Sequence, residues 1–434
     1  MVQKGHCSTR INKAGEMEYR IRQVSEKLEV PESTLRYWEM EFVEIIKPRR
    51  THGRQRRYSD KDVEQLLQIK ELLHLKNRTI EQARHLLKSG NDDFERINWE
   101  KKSILLTGGT GVFGRHFCKF MLEKHTPRVI RILSRNGLKQ HEMCREFGEE
   151  KVRYFLGDVR EADRLKRAME GVDIIVHAAE LKHIPACEFN PFEAVKTNIN
   201  GAQNIIDAAI DAGVNKVIAL STDMAVNPVN LYGATKLCAE KIFIQGNAYS
   251  GSRGTRFSCI RFSDALVSRR NVLDLFQSQK KTGILSIGDP EMTRFWPDLQ
   301  DSAGCVLRAL CQMQGGEIFV PMAPSIMVTD LGAVIAPECR IRITGMNQGE
   351  KLHTLLITEE EARNTVLNKD MYIILSDNAA QGGYASSEYT RMPAGFAYTS
   401  HKNNSWLHIP DLKRICGSDL HYQNLASLNN RTDN

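Results

Sequence analysis

Tyr232-Gly233-Ala234-Thr235-Lys236 sets a phenol and an ammonium four residues apart. On a helix both side chains share one face, one turn apart. The lysine charge lowers the phenol pKa and can hold a ribose, so the phenol becomes able to take a proton from a substrate hydroxyl. Upstream, Thr107-Gly108-Gly109-Thr110-Gly111-Val112-Phe113-Gly114 spaces glycines at 108, 111 and 114. Glycines so placed allow a tight turn and let backbone approach a pyrophosphate on a helix N-terminus. Y-x-x-x-K alone recurs by chance, and a glycine triad alone also suits an ordinary loop. In this order the two imply hydride chemistry at a hydroxyl with a bound dinucleotide.

The elements around them read as a doubly wound α/β fold. Ser103 to Leu106 is a short apolar strand feeding the glycine turn, and Phe117 to Leu122 continues as a helix. The next strand, Val129 to Leu133, runs into Ser134-Arg135-Asn136-Gly137-Leu138-Lys139-Gln140. An acid there would bind the adenosine 2′-hydroxyl of NAD, whereas the cations Arg135 and Lys139 suit the 2′-phosphate of NADP. Asp158 follows another strand and belongs near the adenine. Ile174 to Val176 ends in His177-Ala178-Ala179, small residues where a nicotinamide ribose would pass. The G-x-x-G-x-x-G spacing resembles that of the short-chain dehydrogenases. We expect a parallel-sheet NAD(P)-binding Rossmann domain over residues 102–412, with a small C-terminal substrate lobe and a polar tail at 413–434.

The chain's 434 residues carry a net charge of +7, unevenly spread. Residues 1–102 hold 22 Lys/Arg against 17 Asp/Glu, and Lys47 to Arg57 contains six basic residues and no acid. Length favours two domains. No apolar run approaches a membrane span, and Met1 to Glu16 is a polar tail without a signal-peptide core. Ten scattered cysteines, with no C-x-x-C pair or His/Cys cluster, suggest reduced thiols in the cytoplasm and no metal site.

Before the Rossmann segment, Tyr19 to Leu28 and Glu32 to Glu39 read as two short helices around Val30-Pro31. The second buries Leu35 and Trp38 and turns Ser33, Thr34, Arg36 and Tyr37 outward. A basic hairpin, Arg49 to Tyr58, has Gly53 at its tip. Ser59 and Thr79 can cap further helices, Asp60 to Lys76 and Ile80 to Lys88. The strings Y-R-I-x-Q-V-S, S-T-L-R-Y-W-E, R-R-Y-S-x-x-D-V and I-K-x-L-L resemble a MerR-family DNA-binding domain. That resemblance implies a winged helix-turn-helix over residues 17–88 with the Ser33–Trp38 helix in the major groove. It implies Arg36 and Tyr37 on the DNA backbone, and a wing, Thr51 to Tyr58, whose Arg54, Arg56, Arg57 and Tyr58 grip phosphates. The alternative is a docking module that never meets DNA. Residues 89–101 read as a linker, too short for the long dimer helix usual in MerR proteins, so a homodimer or higher oligomer must form through the second domain.

The second domain also resembles a family. H-A-A-x-L-K-H-I-P-A-C-E-F-N-P-F-E-A-V-K-T-N-I, S-T-D-x-A-V-N-P-V-N-L-Y-G-A-T-K, M-T-R-F-W and G-E-K-L-H are similar to the inverting UDP-N-acetylglucosamine 4,6-dehydratases and related polysaccharide-biosynthesis proteins. The resemblance implies NADP held by Thr110, Gly111, Val112, Phe113, Arg135, Lys139, Gln140, Asp158, Val159, Ala178, Lys182, Tyr232 and Lys236. It implies oxidation at Tyr232, an acid at Asp223, and a base lysine next to it, where this chain has Met224. A thioether has no usable proton affinity. On the sugar-nucleotide side, R-F-S-D-A-L-V-S-R-R-N-V (Arg261–Val272) departs from the family's R-Y-G-N-V-x-G-S-R-G-S-V. It puts Asp264 in place of an amide and Ser263 in place of a glycine, and ends on Val272. Asn347 replaces an arginine, while Arg294 and Glu350 remain.

Two functions fit these residues. One is a DNA-binding regulator whose second domain senses NADP and a nucleotide sugar such as UDP-N-acetylglucosamine but is impaired as a dehydratase. The other is an active nucleotide-sugar dehydratase or epimerase of surface-polysaccharide or flagellin-glycan biosynthesis with an appended DNA-binding domain.

Overall fold

The computed structural model describes residues 10–11, 17–51, 55–70, 72–73, 80, 83–84, 87, 97–263, 273, 275–347, 349–369, 371–376, 384 and 389–416. These form two compact units, Met1–Asp92 and Asp93–Asn434. In the first, a short ladder pairs β1 (Arg10–Ile11) with β2 (Met17–Glu18). Helices α1 (Ile21–Leu28) and α2 (Glu32–Glu41) follow. Glu29 takes the left-handed conformation at φ 51°, ending α1, and Pro31 precedes α2, where its missing N–H costs nothing. The hairpin pairs β3 (Arg49–Arg50) with β4 (Arg56–Arg57). Then α3 (Asp60–Lys70) begins with a reciprocal cap. The Asp62 amide donates to Ser59 Oγ, while the Ser59 amide donates to the Asp62 carboxylate. Val24, Leu28, Leu35, Trp38, Phe42, Val63, Leu66 and Ile69 meet in one apolar core. Arg54, expected in the wing, lies outside the described residues, as does most of the Ile80–Lys88 helix.

The second unit starts earlier than the sequence suggests. Trp99, inside the expected linker, is buried in the core that also holds Ile104 and Phe117. Seven parallel strands run in the order β7 (Val152–Leu156), β6 (Val129–Ser134), β5 (Ser103–Thr107), β8 (Ile174–His177), β9 (Lys216–Thr222), β10 (Arg256–Phe262) and β13 (Ile318–Pro321). Ile104, Leu105 and Leu106 are fully buried, as expected for a central strand covered by helices on both faces. Chain order reverses between β5 and β8. There the crossovers diverge to opposite faces and leave a crevice at the carboxyl ends of the strands. Three antiparallel strands extend the far edge: β18 (Met371–Ile374), β17 (Thr365–Asn368) and β19 (Thr390–Arg391). The sequence reading did not anticipate this extension, because short apolar runs do not reveal strand direction.

The lobe is built from two small pairs, β11 (Ile284–Ile287) with β15 (Arg340–Ile343) and β12 (Thr293–Phe295) with β14 (Ser325–Met327), around Phe276, Leu285, Trp296 and Leu412. On the crevice side, α4 (Val112–Lys124) follows β5, and α5 (Leu231–Ser250) follows β9. Between β8 and β9 a long helical run contains a π-helical stretch at Val195–Asn200.

Candidate functional site

The glycine turn is sterically compulsory. Gly108 has φ +66°, and a β-carbon there would lie 2.6 Å from the Ala178 carbonyl oxygen. A β-carbon on Gly114 would lie 2.3 Å from the Gly109 oxygen, and one on Gly111 would lie 3.2 Å from the Gly108 oxygen. Gly111 is the N-cap of α4, and no side chain caps that helix. Its leading amides therefore suit an anion. Arg135 and Lys139 are exposed on the loop after β6 and the following turn of helix. Arg135 reaches Asp158 at 3.5 Å, while Arg160, which sequence reasoning passed over, holds the same carboxylate at 2.7 Å. Burial would raise the Asp158 carboxyl, but the Arg160 hydrogen bonds and charge outweigh it and keep the group ionised. These groups fit a dinucleotide.

Three expected cofactor residues have scaffold side chains instead. Gln140 is buried, and its amide nitrogen donates to the Ser134 carbonyl, the Ser134 hydroxyl and the Phe155 carbonyl. Phe113 packs in the core beside Phe117 and Phe262. Val159 is buried against Gly201. Only their backbone remains for a ligand. Ala178 and Lys182 are half-buried on the loop leaving β8.

Tyr232 and Lys236 lie one turn apart on α5, as the spacing predicts, and both are buried. Lys236 Nζ donates to the Leu220 carbonyl at 2.6 Å. A third group joins them. Tyr232 Oη donates to Glu180 Oε2 at 3.0 Å, and Lys236 Nζ lies 3.1 Å from the same oxygen. The motif H-A-A-x-L-K-H left position 180 open, so the sequence held no signal for this contact. Next to it, Leu181 is pinned: its N–H donates to Asn198 Oδ1 at 2.8 Å, and its carbonyl accepts from Asn198 Nδ2 at 3.0 Å. Asn198 also donates to Thr235 Oγ1 at 2.9 Å, which ties the π-helical stretch, the β8 loop and α5 together. His177 is buried, and its Nδ1 lies 2.7 Å from Thr107 Oγ1. Burial, and then the Lys236 charge, push it down to about 3, so it stays neutral.

Asp223 and Met224 form the turn after β9. The Asp223 carboxylate is buried and accepts from Thr222 Oγ1 at 3.0 Å and Ser263 Oγ at 3.2 Å. Ser263 therefore adds a donor that a glycine could not. Met224 is half-buried and packs with Leu181, Ile184 and Leu231 against Cys187, Ala194 and Tyr232. One amine does reach this turn. Lys351 Nζ donates to the Asp223 carbonyl at 2.9 Å and the Val226 carbonyl at 2.5 Å. Burial lowers its pKa, with the Asp223 charge opposing the shift. In the lobe, Arg294 donates to the Thr293 and Leu352 carbonyls, while Glu350 accepts from the Asn347 backbone and side chain. Asn230 Nδ2 donates to the Gly349 carbonyl at 2.9 Å, linking this loop to the start of α5. Asp264 and Val272 lie outside the described residues.

In the first unit, Ser33, Arg36 and Tyr37 are exposed on α2 and Thr34 is half-buried, with Arg36 paired to Glu32 at 3.0 Å. Two wing assignments change. Tyr58 is fully buried, and its hydroxyl donates to the buried Glu39 carboxylate. Arg56 is only 28% exposed and pairs with the same Glu39 at 2.6 Å. Both residues tie the wing to α2 instead of offering free side chains to phosphate. Arg49 and Arg50 are exposed, Arg49 pairing with Glu18 at 3.3 Å, while Arg57 is half-buried and donates to the Arg56 carbonyl and the Gln55 side chain.

A family model described as polysaccharide biosynthesis protein matches residues 104–376. The inverting UDP-N-acetylglucosamine 4,6-dehydratase of Campylobacter jejuni is 43% identical over 326 residues, 73% of this chain and 98% of that protein. The chain belongs to the polysaccharide-biosynthesis family. A UDP-glucose 4-epimerase of Rickettsia conorii is 36% identical over 325 residues, covering 72% of this chain and 95% of that protein. The X-ray structure of Pen from Bacillus thuringiensis matches with TM-score 0.69 and 34% identity, covering 75% of this chain and 99% of Pen. Ahead of the polysaccharide-biosynthesis domain, residues 19–90 match a model described as MerR HTH family regulatory protein. The molecule is thus a helix-turn-helix regulator unit joined to a nucleotide-sugar dehydratase-like unit. Among the described residues no helix is long and apolar enough to cross a membrane, and no cluster of His, Cys, Asp and Glu could hold a metal.

Proposed function

We propose that this chain is a DNA-binding regulator whose polysaccharide-biosynthesis domain binds NADP and a nucleotide sugar without completing 4,6-dehydration. One observation carries the reading: the turn that presents Asp223 continues into Met224, whose thioether packs in an apolar cluster beside Tyr232. Dehydration across C5 and C6 needs the 4-hydroxyl oxidised, the C5 proton removed and the 6-hydroxyl protonated. The cofactor, when bound, supplies hydride exchange. Tyr232 and Lys236 can handle the proton of the 4-hydroxyl, and Asp223, in its protonated form, can donate to the leaving oxygen. Met224 can remove nothing from C5, and Lys351 Nζ is already committed to two main-chain carbonyls. A missing general base typically costs about 10²–10⁴ in rate.

Arg135 and Lys139 support NADP over NAD, and the exposed face of α2 with the arginine wing supports duplex DNA as partner. A homodimer formed through the second domain would space two such heads. Incubation of purified protein with UDP-N-acetylglucosamine and NADP tests the reading. Bound ligands without a 4-keto-6-deoxy product are expected, and steady product formation would overturn it. A second reading is favoured by the intact Tyr232–Lys236 pair, which suffices for oxidation and reduction at C4 without a C5 base. In that case the product is a C4 epimer, and the regulator unit governs synthesis of the sugar its own chain modifies.

A further inference from the structure

The Glu180 carboxylate touches both members of the hydride pair. A single oxygen, Oε2, accepts from Tyr232 Oη at 3.0 Å and meets Lys236 Nζ at 3.1 Å. The Lys236 and Glu180 side chains are 8% and 20% exposed, so solvent screens their attraction poorly. The loop that presents Glu180 is fixed, since Asn198 binds both the N–H and the carbonyl of Leu181 and reaches across to Thr235. Lys236 has three donors. One is spent on the Leu220 carbonyl and another on Glu180.

The other charged or titratable groups around Tyr232 do not replace this contact. Cys187 packs against Tyr232 as a thiol, pushed up to about 11 by burial and by the charges of Glu180 and Glu188. Glu188 accepts from the Leu231 backbone, Glu240 pairs with Arg261, and the Asp223 carboxylate takes the hydroxyls of Thr222 and Ser263. His177, on the Lys236 side, is neutral. The phenol hydroxyl thus has the Glu180 carboxylate as its acceptor and the Lys236 ammonium beside the same oxygen. A hydrogen bond donated to a carboxylate favours the protonated phenol, and the same carboxylate cancels the lysine charge that would favour the phenolate.

We propose that Glu180 is a latch on the Tyr232–Lys236 pair, holding the phenol protonated and the ammonium engaged until a ligand displaces the carboxylate. The idea rests on the reading of this pair as the cofactor-side proton handler. It makes Glu180 a positioning residue that keeps the domain redox-silent while empty. Rotation of its side chain away from Tyr232 would leave the Lys236 charge unopposed beside the phenol, so that Oη releases its proton to solvent and the resulting phenolate can take the proton of a sugar hydroxyl; it would also free a Lys236 donor for a ribose hydroxyl.

The test uses the full chain without ligand. Tyrosinate absorbance is followed against pH for the protein and its Tyr232→Phe variant, and the difference reports Tyr232 alone. The same pair of measurements is made in Glu180→Gln and Glu180→Asp backgrounds. In Glu180→Gln the Tyr232 midpoint should fall by about one pH unit, a tenfold change in ionisation constant, while Glu180→Asp stays near the parent. An unchanged or higher midpoint in Glu180→Gln overturns the latch. Calorimetric titration with NADPH follows, with an expected gain in affinity of about tenfold in Glu180→Gln. Equal affinity in a binding-competent pair of proteins also overturns it. If neither protein binds NADPH, the cofactor reading fails, and the tyrosine titration still decides the latch.

Discussion

A β-carbon on Gly233 would lie 2.2 Å from the carbonyl oxygen of Met224. The helix bearing Tyr232 therefore starts directly against the turn that presents Asp223, and only glycine permits the approach. Its backbone N–H is also held by Asn230 Oδ1 at 2.8 Å, which caps α5. Gly233→Ala should force the turn and helix apart and cost about 3 kcal/mol, the upper end for overpacking. Chemical denaturation would show the loss, and NADPH binding should weaken with it. A variant as stable as the parent would mean the turn relaxes freely.

Met224→Lys restores an amine beside Asp223. It should produce measurable 4-keto-6-deoxy sugar from UDP-N-acetylglucosamine where the natural protein gives little or none. The gain should stay below the roughly 10²–10⁴ attributable to a general base, because Ser263 engages the Asp223 carboxylate and Asn347 stands where the family has arginine. Absence of product in both proteins, with sugar bound, would move the block to the lobe.

Arg135 contacts the edge of Asp158 at 3.5 Å and remains half exposed, so its charge is open to a 2′-phosphate. NADP(H) should bind more tightly than NAD(H), and Arg135→Asp should reverse the order. Calorimetry with the four cofactors decides, and equal affinities in the parent would contradict the assignment.

Arg56 and Arg57 should behave differently despite being neighbours. Arg56→Ala leaves the buried Glu39 carboxylate with Tyr58 alone, and should destabilise the first unit by about 1–3 kcal/mol. Arg50→Ala with Arg57→Ala should leave stability nearly unchanged. If each contacts one phosphate, the double variant flattens the slope of log affinity against log salt by about 1.8. An unchanged slope would remove these two arginines from the interface.

If the second unit senses ligand for the first, operator DNA and NADP(H) or UDP-sugar must change each other's affinity by the same factor. A tenfold effect needs only about 1.4 kcal/mol of coupling. Cofactor titrations with and without specific DNA measure it directly. Identical affinities in both would leave the units uncoupled.

The sequence by itself determined the order of the two units, the glycine turn, the cations Arg135 and Lys139 after the second strand of the Rossmann segment, and the Tyr232–Lys236 spacing. Each is written in contiguous residues whose local geometry follows from backbone sterics or helical period. Met224 after Asp223 was equally legible, because a thioether has no usable proton affinity wherever it lies. Tertiary structure alone decided what those residues touch. Glu180 and Tyr232 are 52 positions apart, and Glu39 and Tyr58 are 19 apart. No periodicity links either pair. The MerR resemblance placed Tyr58 in the wing, yet a phenol with a buried carboxylate to bind is more stable inside the core than on the surface. Gln140 turned inward for a similar reason, since three acceptors in the scaffold satisfy its amide. Lys351 reached Asp223 only because the lobe folds back over the end of β9. Motifs name the groups that can do chemistry, while the pairing of buried charges, set by the chain's long-range return, decides which of them are free to do it.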